Sequence, residues 1–485
     1  MKHIAIIGAG ITGVTTCYAL QRRGFQTTLI ERHRYPAMQT SFANGGQLSA
    51  SNAEVWNTPA TLLKGLRWML RKDAPLLLNP MPGWHKYTWM AEFAANIGKY
   101  KSHTIETVEL AIAAREHLFA WAEQENISFD HKDRGILHFY NNEKGFRHAE
   151  KVNKLLSEGG LERHAVTPAE MSELEPTLTG DFFGGFYTPS DSTGDIHLYT
   201  RGLADACRRG GTHCRFETQV LDVVADNNSV ALELQDNDGV NRHHFDGLVV
   251  CAGVGSRRLA AEVGDRLNIY PVKGYSITVK LDDDASRDGA PQVSLLDDDA
   301  KVVTSRLGEN RFRIAGTAEF NGANYDIRAD RIEPLVSWCR SYFPDVATSR
   351  IVPWAGLRPM MPGMLPRVGQ SKRCSRVFYN TGHGHLGWTL SAATAEIVAA
   401  NVVAAKLPGK VSQGQTGGSG AGVSANASAS GQAATTADSG PSSTIAATGR
   451  MARSNEAVES PARPAAADDN NPGNDTPDND YRRAG

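Results

Sequence analysis

Ile4-Ala-Ile-Ile-Gly8-Ala9-Gly10-Ile11-Thr12-Gly13, with Glu31 closing the next apolar run, is the stretch whose pattern decides the fold. It predicts a strand, a glycine turn, a helix and a second strand ending on an acid. Gly8 permits the tight turn, Gly10 lets backbone approach a pyrophosphate, and Gly13 allows helix and strand to pack closely. The diphosphate would meet the free N–H groups at the start of the helix, where the helix dipole favours negative charge. Gly24 suits the left-handed position that ends such a helix. Glu31 can accept both hydroxyls of an adenosine ribose and would repel a 2′-phosphate, so FAD or NAD fits and NADP does not. A secretory signal is the competing explanation for Lys2 before an apolar run. It fails because Gly8, Gly10, Thr12 and Gly13 interrupt the run and no small-residue cleavage site follows.

The rest of the chain sets bounds on what surrounds this unit. With 485 residues, net charge −2 and 41% hydrophobic residues, two domains are expected. Near-neutral charge gives no reason to expect a nucleic-acid partner. Six cysteines without C-x-x-C spacing point to reduced thiols and a cytoplasmic location. No run approaches the roughly 18 apolar residues of a spanning helix, so a protein that does not cross a membrane is expected. From 411 to 485 the composition is Gly, Ser, Ala, Asn, Asp and Thr, which predicts a disordered tail.

Three islands look like parts of one nucleotide-binding domain. The second runs through a helix at 199–209 and strands at 218–224, 230–234 and 248–251, the last a continuous apolar run typical of a buried parallel strand. The third is Val377 to Gly382 with a helix over 391–405. Between the islands, 58–175 reads as mostly helical and 270–351 alternates as an antiparallel sheet. The expected fold is therefore α/β: a Rossmann-type nucleotide-binding domain (1–57, 195–265 and 352–408) interrupted by an α+β substrate domain (58–194 and 266–351) with a mostly antiparallel sheet.

Several loops carry candidate chemistry. Ser41 to Gln47, including Asn44 and Gly46, is a polar glycine-containing loop that can offer N–H donors to a planar ring, or can be a plain surface loop. Gly382-His383-Gly384-His385-Leu386 is a second glycine loop feeding a helix. Its two histidines lack a nearby carboxylate or cysteine and make a poor metal site. In Gly356-Leu-Arg358-Pro the proline restricts the arginine towards extended backbone. A guanidinium so held can grip a carboxylate through two parallel hydrogen bonds, or can form a structural ion pair with an acid such as Glu319. Lys273 and Tyr275 either face the site or sit on its rim. Leu62 to Lys72 is basic, apolar and tryptophan-bearing, suited to a membrane interface or to packing on the protein itself.

Four ordered segments resemble the FAD-dependent D-amino-acid oxidase superfamily, and within it the bacterial D-amino-acid dehydrogenases. They are Thr40-Ser-Phe-Ala-Asn-Gly-Gly-Gln-Leu-Ser49, Tyr270-Pro-Val-Lys-Gly-Tyr-Ser276, Trp354-Ala-Gly-Leu-Arg-Pro-Met360 and Asn380-Thr-Gly-His-Gly-His-Leu-Gly-Trp-Thr389. The resemblance covers nearly all of residues 1–408. It implies FAD held by Gly8, Ala9, Gly10, Ile11, Thr12, Gly13, Glu31, Arg32, Ser41, Asn44, Gly46, Gln47, Val220, Ala252, Gly253, Gly356, Gly382, His383, Gly384 and Leu386. It makes Arg358, Tyr275 and Lys273 the catalytic candidates. It further implies oxidation of D-amino acids, with electrons leaving to a quinone or other carrier at the inner face of the cytoplasmic membrane. The family commonly has threonine where His385 stands, and Met361 to Gly369 departs from the usual Thr-Pro-Asp-Gly pattern. A relative acting on glycine, sarcosine, hydroxyproline or an L-amino acid is the alternative; a flavin-binding electron-relay subunit is the alternative of another class.

Overall fold

A computed structural model of the protein describes residues 1–61, 76–79, 81 and 83–407. The interfacial candidate at 62–72 and the tail at 411–485 lie outside the described residues.

The opening motif folds as strand β1 (His3–Ile7), helix α1 (Ile11–Gln21) and strand β2 (Gln26–Ile30), with β1 and β2 parallel. Helix α1 is buried along most of its length against two further helices, Ile196–Arg209 and Ser391–Ala404. β1 stands at the middle of a six-stranded sheet ordered Arg367–Gln370, Val377–Thr381, Gly247–Val250, β1, β2, His213–Arg215. All neighbours are parallel except the first pair. The apolar run 247–250 joins this sheet, whereas Gln219–Ala225 and Val230–Asp236 do not. With Gly239–Phe245 those two strands make a separate antiparallel sheet, because their outer faces are polar and one buried face is enough.

The second unit is a nine-stranded mixed sheet. One place in from its edge runs strand β3 (Tyr270–Lys280), flanked by β4 (Arg311–Phe320) and by the edge strand β5 (Ile351–Met360), both antiparallel to it. Two pairings elsewhere in the sheet are parallel. Helix α2 (Ala329–Tyr342) covers one face, with Ile332, Leu335 and Val336 packed against Tyr275, Ile277 and Val279. One domain limit moves as a result. Residues 352–360, assigned from sequence to the nucleotide domain, form most of the edge strand of the substrate sheet, because β5 finds its hydrogen-bond partners on β3. A further correction concerns hydropathy. Among the described residues, Gly384–Ala404 is long and apolar enough by length and composition to cross a membrane, although 67% of that window is buried inside the protein. Its packing against α1 and the helix Tyr100–Gln124 is that of an apolar core helix.

Candidate active site

A cavity of about 1380 Å³ runs from the carboxyl ends of β1 and β2 to the face of the substrate sheet not covered by α2. It exceeds the roughly 300–1,000 Å³ of a site for one drug-sized ligand, and has room for a dinucleotide together with a small substrate.

At one end the glycines divide their work. Gly8 has φ 103°, and a Cβ there would lie 2.7 Å from the Cys251 carbonyl oxygen. A Cβ on Gly13 would lie 1.8 Å from the Gly8 oxygen, so its task is helix–strand contact. Gly10, by contrast, leaves its backbone open, since among the described residues an added Cβ would meet only Ser41 Oγ at 3.5 Å. Ile11 N–H donates to that same Ser41 Oγ at 3.1 Å, which fixes the 41–47 loop on the start of α1. The Glu31 carboxylate is held by the Ala9 and His33 N–H groups at 2.9 and 3.0 Å and still borders the cavity. Ala9 and Gly13 lie behind the wall, while Ile11, Thr12 and Arg32 are part of it.

The walls between the two ends come from three places. Val220 borders the cavity from the edge strand of the three-stranded sheet, and Ala252 and Gly253 follow strand 247–250. Among the described residues, nothing beyond its own chain neighbours lies within 4 Å of the Cβ position of Gly253. Asn44 and Gly46 also border the cavity, with Gly46 at φ 70° and its N–H bound to Asn44 Oδ1. The Gln47 side chain is turned to the substrate sheet, donating to Ser294 Oγ and the Leu295 carbonyl. Gly382 and Gly384 both have positive φ, 81° and 60°, and with His383 and Leu386 they line the cavity. Open backbone at Gly10 and Gly253, a held carboxylate and a second glycine loop make a cradle that fits a dinucleotide.

Burial drives both loop histidines down, His383 to about 3 and His385 to about 4. His383 is hydrogen-bonded to Thr394 Oγ1. His385 stacks on Trp56 with ring centroids 4.8 Å apart and bonds the Asn52 carbonyl. Both imidazoles are neutral at ordinary pH, and no cluster of three metal-ligating side chains occurs among the described residues.

At the other end, register builds the site. Gly274 on β3 faces Gly356 on β5, and Val272 faces Arg358. Directly opposed residues share a face, so Arg358, Gly356 and Gly274 lie together on the cavity side. The guanidinium occupies the space above Gly274, where a Cβ would come within 2.3 Å of Arg358 Nη1. The Trp354 ring lies over Gly356 in the same manner. Arg358 Nη1 donates to the Thr317 carbonyl at 2.9 Å, and no acid pairs with Arg358 among the described residues. Burial alone lowers its pKa to about 10, so it stays charged at neutral pH; the surface it keeps is exposed to the cavity, which it lines. Glu319, the acid expected as a structural partner, is on the opposite face.

Lys273 and Tyr275 are there too, which corrects their assignment as catalytic residues. Both are odd-numbered on β3 and point towards the α2 side. Lys273 is fully buried, lies outside the cavity wall, and donates to Asn324 Oδ1 at 2.6 Å. Tyr275 borders the cavity, but its hydroxyl donates to Glu319 Oε2 at 2.6 Å. Burial and then Glu319 raise its pKa, so the phenol stays protonated. The pair was misassigned because period-2 parity becomes readable only when the pairing of β3 and β5 is known. Trp354 and Thr317 were missed. Trp354 had a signal in sequence, standing two residues from Gly356 and four from Arg358; Thr317 had none.

Residues 3–401 match the family described as FAD dependent oxidoreductase (DAO). Over 410 residues the chain is 61% identical to D-amino acid dehydrogenase 3 of Mesorhizobium japonicum, covering 84% of this chain and 98% of that one. It is 38% identical over 407 residues to the D-amino acid dehydrogenase of Paramagnetospirillum magneticum, with 82% and 94% covered. Glycine oxidase from Bacillus cereus superposes with a TM-score of 0.64 at 19% identity, over 83% of this chain and 95% of that one. That last likeness is one of fold alone.

Proposed function

Since the chain belongs to the DAO family of FAD-dependent oxidoreductases, we propose that it oxidatively deaminates D-amino acids, D-alanine among them, to 2-oxo acids and ammonia. The observation that carries this is Arg358: a charged guanidinium without an acidic partner among the described residues, given room by Gly274 and presented to the cavity. Such a group is matched to a carboxylate, which it takes through charge-assisted hydrogen bonds. Gly10, Ser41, Glu31, Val220, Gly253 and the 382–386 loop would hold the FAD. Bound FAD supplies the two-electron acceptor for the substrate's Cα–H bond.

The chain's own work is then positional. The Thr317 carbonyl occupies Nη1 and so limits how the guanidinium turns, leaving its remaining donors to the substrate carboxylate. With the carboxylate fixed, the Cα–H bond is held in one direction, which is the contribution of orientation to the rate. The amine lone pair drives C–H cleavage once the amine is neutral, and the resulting imino acid hydrolyses in water. Arg358→Ala tests the assignment: KM for D-alanine rises strongly, and an unchanged KM removes the carboxylate-binding role.

The electrons pass to a quinone or another carrier, with the protein peripheral on the inner face of the cytoplasmic membrane. Support comes from Met81, Trp84 and Tyr87, exposed at 70%, 82% and 48% beside His85, which lines the cavity. Exposed apolar surface of this kind suits an interface. Liposome co-sedimentation that survives Trp84→Ser combined with charge reversal at Lys64, Arg67, Arg71 and Lys72 counts against the membrane contact.

A further inference from the structure

Behind Arg358, on the α2 side of the sheet, lies a buried charge cluster that the proposed reaction does not use. Glu319 is 3% exposed and accepts from Tyr275 Oη at 2.6 Å and Asn321 Nδ2 at 3.1 Å. Lys273 Nζ stands 3.4 Å from the same carboxylate and donates to the Asp326 carbonyl at 3.0 Å. Removing such groups from water carries a desolvation penalty that pairing offsets only in part. An apolar pair would fill the space with less penalty, so the location of the cluster calls for an explanation.

That location is a β-bulge. Lys273 faces Glu319 across β3 and β4, and the next aligned pair is Tyr275 with Gly316. Gly274 alone therefore opposes both Thr317 and Ala318. Thr317 takes φ 60°, a left-handed conformation that a β-branched residue adopts only under constraint. Bulges re-aim groups next to active sites, and this one aims the Thr317 carbonyl at Arg358 Nη1, 2.9 Å away. The buried cluster grips the strand pair on both sides of the bulge, at 273 with 319 and at 275.

We propose that Glu319, together with Tyr275 and Lys273, is a positioning unit that locks the register of this bulge and so sets the Thr317 carbonyl that orients Arg358. The proposal rests on Arg358 being the carboxylate anchor. Glu319→Gln and Tyr275→Phe, each as the FAD-loaded enzyme with its flavin absorbance and Tm recorded, provide the test. Each variant should raise KM for D-alanine, and Ki for propionate, about fivefold to tenfold, as expected for weakening one or two hydrogen bonds. KM should rise more than kcat falls. In an Arg358→Ala background the same changes should add nothing, because the group they orient is gone. A fall in Tm with KM and Ki unchanged overturns the proposal, as does a full multiplicative effect in the Arg358→Ala background. If Glu319→Gln does not fold, Tyr275→Phe decides alone, since it keeps the ring and removes only the hydroxyl. If Arg358→Ala itself leaves KM unchanged, the carboxylate anchor fails and this proposal with it; if only the Glu319 and Tyr275 variants are silent, the anchor stands and the positioning unit falls.

Discussion

The two ends of the cavity are built by opposite means. The dinucleotide end comes from one continuous stretch, Gly8 to Glu31, whose glycines meet atoms a few residues away or on the adjacent strand. The substrate end comes from strands about 80 residues apart, where Gly274 makes room for a guanidinium carried by β5. A glycine in a turn announces itself by its neighbours in sequence. A glycine that clears space across a sheet is meaningful only once the register is known. The first kind of site tolerates no change in its local spacing, and the second depends on pairing far from the reacting groups.

Perturbations at the two ends should therefore break different things. Gly13→Val places its branched side chain into the Gly8 carbonyl, so helix α1 must leave its strand. The expected outcome is protein without bound flavin, read as loss of the absorbance near the flavin band and a collapse in soluble yield. Arg358→Ala should keep the flavin and raise KM for D-alanine about a hundredfold to a thousandfold, the scale of losing a buried charge-assisted pair. A smaller effect belongs to Gly274→Ala. The added methyl displaces the guanidinium from above Gly274, and steady-state kinetics should show KM up about tenfold with flavin content unchanged.

The remaining expected effect leaves activity aside and concerns stability against pH. His383 and His385 have folded-state pKa values of about 3 and 4, held down by burial. The unfolded chain takes up these protons near pH 6.5, so it binds more protons than the folded state below that value. Stability is complete above pH 6.5 and falls as the pH drops towards 4, by about 2 kcal/mol per histidine at pH 5. Thermal melts of His385→Gln should show a shallower decline between pH 6.5 and 5 than the parent protein; an equal slope removes His385 from that window.

Legibility in the sequence followed the same division. The strand–helix–strand unit, the buried strand at 247–250 and the helix after Gly382 were readable because each is local, with period and punctuation in one window. Arg358 was readable as a candidate through the proline beside it. Its freedom from Glu319 was not, since that depends on which face each strand presents. Lys273 and Tyr275 went to the wrong face for the same reason. The strand 352–360 was placed in the wrong domain because its hydrogen-bond partners lie on β3, and nothing within the segment says so. Thr317 was invisible, because a bulge is a property of two strands together.

The most direct test of the central claim is an anaerobic titration of the flavin absorbance with D-alanine and then L-alanine, in the parent protein and in Arg358→Ala. The account predicts that D-alanine alone bleaches the parent flavin and that the variant requires at least a hundredfold more D-alanine. A yellow parent protein that D-alanine does not bleach, or a variant bleached at the same concentration, would contradict it.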